Sequence, residues 1–157
     1  MRKELEEEGC LLLSGTPVEH TPVKIKVTTT IWDGGEKETF ELTTFGRYYE
    51  KSNSSYLQYE EIMEEGTVKS IVKVSKDETL ILRSGAITMR MVFEMNKKHL
   101  GRYETPFGTM GISTRTKRLA HNFEAHSGAI DILYELHMQG ALAGTYHLEI
   151  SFEEEKK

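Results

Sequence analysis

The 157-residue sequence predicts an all-β fold, a single antiparallel up-and-down closed barrel of about 8-10 strands. Three observations indicate this fold. Apolar and polar residues alternate with a period of two from residue 23 almost to the end, which is typical of half-buried strands. Short stretches of glycine and polar residues separate these segments, so strands that follow one another should pair. Closure into a barrel removes the exposed edges that an open sheet of so many strands would leave.

The predicted strands in the first half of the chain are bounded by glycine and polar turn residues. The first begins at Val23, and the sequence Asp33-Gly34-Gly35 after it supplies the positive φ angles that a tight hairpin requires. The chain then returns through alternating apolar residues that end at Tyr48. Three further strands follow, at residues 56–63, 67–75 and 79–83.

The stretch AITMRMVFEM, residues 86–95, is the clearest strand of the second half. A short strand through Tyr103 and a bend at residues 105–108 come next, followed by a strand with Thr114 and Thr116 on one face. The alternation breaks at residues 119–127, LAHNFEAHS. This segment is predicted to be the longest connection, with room for a helical turn or a lid.

The last predicted hairpin pairs residues 130–138 with residues 146–152. With its loop centred on Leu142, His137 faces His147 across the two strands, on the face opposite the apolar row. Two imidazoles at cross-strand distance, with carboxylates nearby, can bind a divalent metal. A polar outer face of the sheet explains the same residues, so these histidines are weak metal candidates and no cofactor is predicted.

Composition and charge exclude several classes of function. The chain has 20 Lys and Arg against 25 Asp and Glu, a formal charge of -5, which argues against binding to nucleic acid. The single cysteine, Cys10, rules out an internal disulfide and a zinc site built from several thiolates. The sequence shows no export signal and no apolar run of about 20 residues. We therefore expect a soluble protein in the reducing cytoplasm, with no membrane partner.

Two short segments carry a family resemblance, SIVKVS at residues 70–75 and LRSGA at residues 82–86. Together with Tyr103, Phe107-Gly108 and the TRT of residues 114–116, they resemble the YwiB-like family of uncharacterised bacterial calycin-like (lipocalin-like) β-barrel proteins. The resemblance implies a lipocalin-like barrel in a cytoplasmic protein. It implies a fold and no established activity, and fold alone does not assign function.

The resemblance also suggests the domain boundaries. It covers about residues 22–153 and leaves residues 1–20 outside. We therefore interpret residues 1–20 as an N-terminal extension and residues 21–155 as one calycin-like barrel domain.

A row of inward-facing residues is the candidate ligand cavity. Methionine is flexible and polarizable, so several on one strand suit variable apolar guests, and the same properties suit a gap-filler in a solid core. Arg83, at a strand end, offers a guanidinium fork for a carboxylate or phosphate head group. The candidate cavity residues are Tyr48, Arg83, Met89, Met91, Phe93, Thr114, Thr116 and Tyr134.

These observations lead to two functional hypotheses. The first is a cytoplasmic β-barrel protein that binds a small, mostly apolar ligand in the barrel interior. The alternative is a non-enzymatic protein-interaction or structural module with a solid core, with a homodimer as one of its forms. Enzymatic activity is not predicted, because the sequence has no Gly-x-Ser-x-Gly elbow, phosphate-binding loop or His-Glu-x-x-His helix.

Overall fold

The computed structural model describes residues 19–155 and confirms the predicted closed antiparallel barrel. Its ten strands are β1 (Thr21–Asp33), β2 (Glu36–Lys51), β3 (Ser54–Met63), β4 (Gly66–Val74), β5 (Thr79–Gly85), β6 (Thr88–Phe93), β7 (Lys98–Thr105), β8 (Gly108–Phe123), β9 (Ser127–Met138) and β10 (Ala141–Glu154). Each strand pairs with its neighbour in the chain, and β1 pairs with β10 to close the barrel.

Of the N-terminal extension, the structure describes only residues 19–20. Residues 1–18, which include Cys10, lie outside the described residues. Within residues 19–155, no helix has the length and hydropathy needed to span a membrane.

Tight two-residue turns set the register of the first hairpins. Gly34 and Gly35 join β1 to β2 at φ angles of 59° and 86°. Ser52 and Asn53 join β2 to β3 at φ angles of 51° and 64°. Two successive positive φ angles are the mark of a type I′ turn, whose twist matches that of the strands it joins. Strand pairing therefore begins immediately after each turn.

Alternation along each strand places one face inside the barrel. In β1, Val23 and Ile25 are buried, whereas Lys24 and Lys26 beside them are exposed. Fully burying one large apolar side chain contributes about 1.5–3 kcal/mol, so the inward faces supply most of the driving force for closure. Inward residues from opposite sides of the barrel meet in one core, which includes Leu57, Val72, Ile81, Met91, Phe93, Ile112, Ile132, Tyr134, Leu148 and Phe152.

Strand β8 is longer than the sequence predicts. The prediction of a long connection at residues 119–127 is therefore wrong. β8 continues to Phe123 in register with β9, and only residues 124–126 lie between the two strands. The cause is a β-bulge between Thr116 and Arg118. One extra residue moves the inward face from even to odd positions, so the alternation breaks although the strand continues.

The last hairpin has a different register from the predicted one. Its turn consists of residues 139–140, both at positive φ, and a bulge follows Leu142. The shorter turn shifts every pair, so that His147 lies opposite Leu133 and His137 lies opposite Leu142. The predicted cross-strand pair of histidines is therefore wrong, because the pairing depended on a longer loop.

One part of the barrel wall is not closed by strand pairing. β2 pairs with β3 from Gly46 to Lys51, whereas residues 36–45 pair with β1 and have no backbone ladder partner on β3 among the described residues. The Thr44 hydroxyl donates to the backbone carbonyl of Glu60 at 3.3 Å where the two strands begin to separate. Residues 60–63 of β3 pair with β4 alone within the same described range. We call the gap between residues 36–45 and 60–63 the β2–β3 seam.

Gly46 is the last paired residue before the β2–β3 seam opens, and its lack of a side chain makes that pairing possible. A Cβ at this position would overlap the backbone carbonyl oxygen of Gln58 and would lie 2.8 Å from Ile25 Cδ1. Backbone atoms cannot rotate away as a flexible side chain can. The two strands would therefore have to separate to accept any other residue.

We predict that Gly46→Ala lowers the free energy of unfolding by about 1–3 kcal/mol, because the backbone must shift to relieve the overlap. Gly111→Ala is the matched control, since a Cβ there meets nothing within 4 Å. The control should change stability by less than about 0.5 kcal/mol. Urea denaturation of both variants measures the difference, and equal stabilities would contradict the close approach at Gly46.

Candidate ligand-binding site

Most of the predicted cavity residues lie in the packed centre of the barrel. Met91, Phe93, Thr114, Thr116 and Tyr134 are all buried. The ring centroids of Phe93 and Tyr134 are 4.7 Å apart, and the Thr114 hydroxyl donates to a backbone carbonyl of β6 at 2.7 Å. These side chains contact one another closely, so the middle of the methionine row forms part of the core.

Tyr48 lies in an aromatic group that packs against the main core. Its ring stacks on Phe152 with centroids 5.0 Å apart and meets the edge of Phe123 at 6.1 Å. Its hydroxyl donates to Glu50 Oε2 at 2.7 Å. Burial raises the pKa of Tyr48, and the bonded Glu50 carboxylate raises it further. The phenol is thus held in place by its own neighbours.

Arg83 belongs to a row of polar side chains on the inner face of three adjacent strands. Tyr59 of β3 lies opposite Ser70 of β4, and Ser70 lies opposite Arg83 of β5. The Cβ atoms of directly opposite residues are about 4.5–5.5 Å apart in such ladders. We call Tyr59, Ser70 and Arg83 the polar row. Met89 of β6, opposite Arg83, continues it with an apolar side chain.

Two atoms of the polar row are buried and make no hydrogen bond of normal geometry with the described residues, although the Tyr59 hydroxyl lies close enough to Ser70 and Arg83 to affect its own pKa. They are Ser70 Oγ and Arg83 Nε. Ser70 is 0% exposed, so its hydroxyl has no access to bulk water. A buried polar group without a partner costs about 1–3 kcal/mol, and most such groups in native proteins are satisfied. A ligand group or a bound water molecule would satisfy both atoms.

Glu61 balances the charge of Arg83. Its Oε1 lies 3.8 Å from Arg83 Nη2, and about a quarter of each side chain is exposed (24% and 26%). This distance allows an ion pair but is too long for a hydrogen bond. The pair therefore neutralises the site without a hydrogen bond between Glu61 and the guanidinium.

The phenols around the polar row stay protonated. Burial raises the pKa of Tyr59, and the positive charge of Arg83, with weaker hydrogen bonding from Ser70 and Arg83, only partly opposes the rise. Burial also raises the pKa of Tyr134, and the neighbouring Tyr146 adds to it. A phenol with a raised pKa is a hydrogen-bonding group near neutral pH and a poor general base.

A groove of about 180 Å³ follows the β2–β3 seam. Thr44 and Tyr59 of the inner face border it, but most of its lining belongs to the outer face: Phe45, Arg47, Gln58, Glu60 and Lys69. Phe40 shares its face of β2 with Leu42, which packs against the core, yet Phe40 is 54% exposed. Apolar surface of the inner face therefore reaches solvent at Phe40, along the unpaired part of β2.

The sequence-based prediction missed Tyr59, Ser70 and Glu61. The only signal for Glu61 is that it alternates with Leu57 and Tyr59, which places a carboxylate on an apolar face. A charge on such a face is costly unless it has a partner. The identity of that partner follows from the register of β3, β4 and β5 and not from residue spacing.

A second polar cluster lies on the outer face of β9 and β10. Atoms of Asp131, His147 and Glu149 that could bind a metal lie within 4.8 Å of one another. Arg118 Nε donates to Asp131 Oδ1 at 2.9 Å, and Arg118 Nη2 lies 3.1 Å from His147 Nε2. The guanidinium thus already supplies a positive charge to this cluster. His137, the other predicted metal candidate, is not one of its members.

Comparison with known proteins confirms the family resemblance. The domain of unknown function DUF1934 matches residues 25–150. The chain is 35% identical over 135 residues to the uncharacterized β-barrel protein YwiB of Bacillus subtilis strain 168, covering 86% of this chain and 95% of that protein. The crystal structure of the YwiB protein from Bacillus subtilis matches with a TM-score of 0.82 at 34% identity, covering 88% of this chain and 96% of that one.

Met91→Trp is expected to lower the free energy of unfolding by about 1–3 kcal/mol, because the larger ring must enter a filled core. Met91 is 7% exposed. The control is Leu100→Trp, at a position that is 78% exposed on β7 and should tolerate the ring. Thermal denaturation compares the two variants. A Met91→Trp variant as stable as the control would indicate an interior void instead of a packed centre.

Ionisation of Asp131 is expected to make the stability of the fold depend on pH. Burial raises the pKa of Asp131, but hydrogen bonds with His147 and Arg118 outweigh it, so the pKa lies below its ordinary value of 3.8. A lowered pKa means that the ionised carboxylate stabilises the fold. This contribution is fully present at neutral pH and is lost as the pH falls through the lowered pKa. Asp131→Asn should thus be less stable than wild type at about pH 7, and the gap should close below about pH 4.

Melting temperatures across a pH series measure this gap. Glu153→Gln, an exposed change on the same strand as His147, is the control and should show no such closing gap. A difference between Asp131→Asn and wild type that stays constant at acid pH would contradict the stabilising role of the ionised carboxylate.

Proposed function

Because the chain belongs to the DUF1934 family of YwiB-like β-barrel proteins, we propose that it binds a small, mostly apolar molecule at the polar row. The observation that carries the proposal is the pair of buried, unpartnered atoms, Ser70 Oγ and Arg83 Nε, beside the β2–β3 seam. Ligand sites typically combine apolar walls with a few polar groups that fix orientation. One polar group on the ligand would satisfy both atoms, and its apolar part would contact the surrounding side chains.

The ligand in this proposal occupies one end of the barrel and not its whole interior. Arg83 and Met89 contact it directly, since both lie in the row that continues from Ser70. Met91, Phe93 and Tyr134 form the packed floor beneath it. The β2–β3 seam, with the exposed ring of Phe40, is the proposed route of entry.

The proposed activity is binding without catalysis, in the cytoplasm. The raised pKa values of Tyr59 and Tyr134 support the first part, because protonated phenols do not act as bases. The single cysteine in the 157 residues supports the second part, because disulfide-free chains suit a reducing compartment.

A second candidate function, as a protein-interaction module, is favoured by the open edge of β2. Residues 36–45 present backbone groups that pair with β1 on one side only within the described part of the chain. Such an edge can accept a strand from another chain, including a second copy of this one. Sedimentation equilibrium tests the homodimeric form, and a monomer at every concentration would count against that form.

Native mass spectrometry of protein purified gently from its own host tests the binding proposal. The folded protein should carry a discrete added mass that disappears on denaturation. Arg83→Met should lose the adduct because the guanidinium donor is removed. Arg90→Met is the matched control, an exposed arginine on the outer face of β6, and should keep it. A bare wild-type mass, or an adduct retained by Arg83→Met, would count against a ligand at the polar row.

A further inference from the structure

We infer that the polar group of this ligand is an uncharged hydrogen-bond acceptor of the carbonyl class, as in an amide or ester, and not a carboxylate. The inference rests on the proposed function, since it concerns a ligand bound at the polar row. It follows from the donors that the row offers and from the balance of charge around them.

The donors of the polar row match a single acceptor atom. Arg83 Nε is buried and makes no hydrogen bond of normal geometry with the described residues, the nearby Tyr59 phenol included. The Nε of a guanidinium carries a hydrogen and no free lone pair, so this atom can only donate. Ser70 Oγ lies across the β4–β5 ladder from Arg83 and also lacks a partner within that range. A carbonyl oxygen has two lone pairs and can accept from both atoms at once.

Glu61 makes the site unfavourable for an anion. Its Oε1 lies 3.8 Å from Arg83 Nη2, so the guanidinium and the carboxylate together carry no net charge. A carboxylate placed against Arg83 would also lie close to Glu61. Like charges that are partly shielded from water repel strongly and are screened by salt much less than exposed charges. A neutral acceptor uses the same donors without this repulsion.

The side chains next to the polar row do not add a second positive charge inside the barrel. Tyr59 and Tyr134 are neutral phenols. Lys69, beside Ser70 on β4, and Arg90, beside Met89 on β6, are both exposed on the outer face. Arg83 is therefore the cation that faces the ligand, and its charge is already balanced.

Isothermal titration calorimetry with three chain-matched probes tests the inference: octanamide, methyl octanoate and sodium octanoate. Wild-type protein should bind the two uncharged probes at least about tenfold more tightly than octanoate. Glu61→Gln leaves Arg83 without its counter-charge and should reverse this order. Glu60→Gln is the matched control, since Glu60 is exposed on the outer face of the same strand, and should keep the wild-type order.

The outcomes separate this inference from the proposed function. Octanoate that binds wild type as tightly as octanamide would overturn the inference and leave a ligand site at the polar row. No binding of any of the three probes at about 1 mM would overturn both. If Glu61→Gln does not fold, the order of the three affinities in wild-type protein decides the question alone.

Discussion

The pairing of β1 with β10 is the constraint on which the rest of the barrel depends. Ten residue pairs join the two strands, from Val23 opposite Glu154 to Trp32 opposite Thr145. They bring together the most distant strands of the described chain, so this ladder carries the largest cost of loop closure. Burial of the shared core offsets that cost. Without the ladder, β1 and β10 would both be open edges and their inner faces would be exposed to water.

Much of this architecture follows from the sequence because the side-chain period of a strand is directly visible. The alternation around Val23 and around Met91 predicts strands that the structure contains, and the glycines at residues 34–35 predict the first turn. The errors occur at bulges, after Thr116 and after Leu142. A bulge relieves strain between neighbouring strands of a curved sheet, so its position depends on tertiary structure and has no period of its own.

The candidate site was harder to predict from the sequence than the fold, and strand β3 shows the reason. Both faces of this strand carry large side chains. Tyr59 points into the barrel, whereas Tyr56 stacks on Tyr49 with ring centroids 4.8 Å apart, in a small cluster separate from the main core. Alternation alone cannot decide which face is internal when both are aromatic. Arg83 was identified from its strand-end position, but its neighbours Ser70 and Glu61 follow only from the register.

The polar row shows how a packed core and a proposed binding site would share one barrel. Phe93 and Tyr134 fill the centre, and two of the buried atoms that lack partners, Ser70 Oγ and Arg83 Nε, lie in the polar row. The buried hydroxyls of Thr79 and Thr116, beside Phe93 and Tyr134, lack partners among the described residues as well. Buried polar atoms weaken a fold unless something satisfies them. In the proposed binding mode a ligand offsets that cost at the polar row but not at the two threonines.

The β2–β3 seam allows a local opening that is distinct from unfolding of the whole barrel. Backbone groups of residues 36–45 are held on one side only among the described strands, so this segment can open locally at far lower free energy than the whole barrel. The lifetime of the folded chain is governed by the β1–β10 ladder and the core, which such an opening leaves intact. The residence time of a ligand bound behind the seam, as proposed, would be governed by the local opening alone, so such a ligand would exchange much faster than the barrel unfolds.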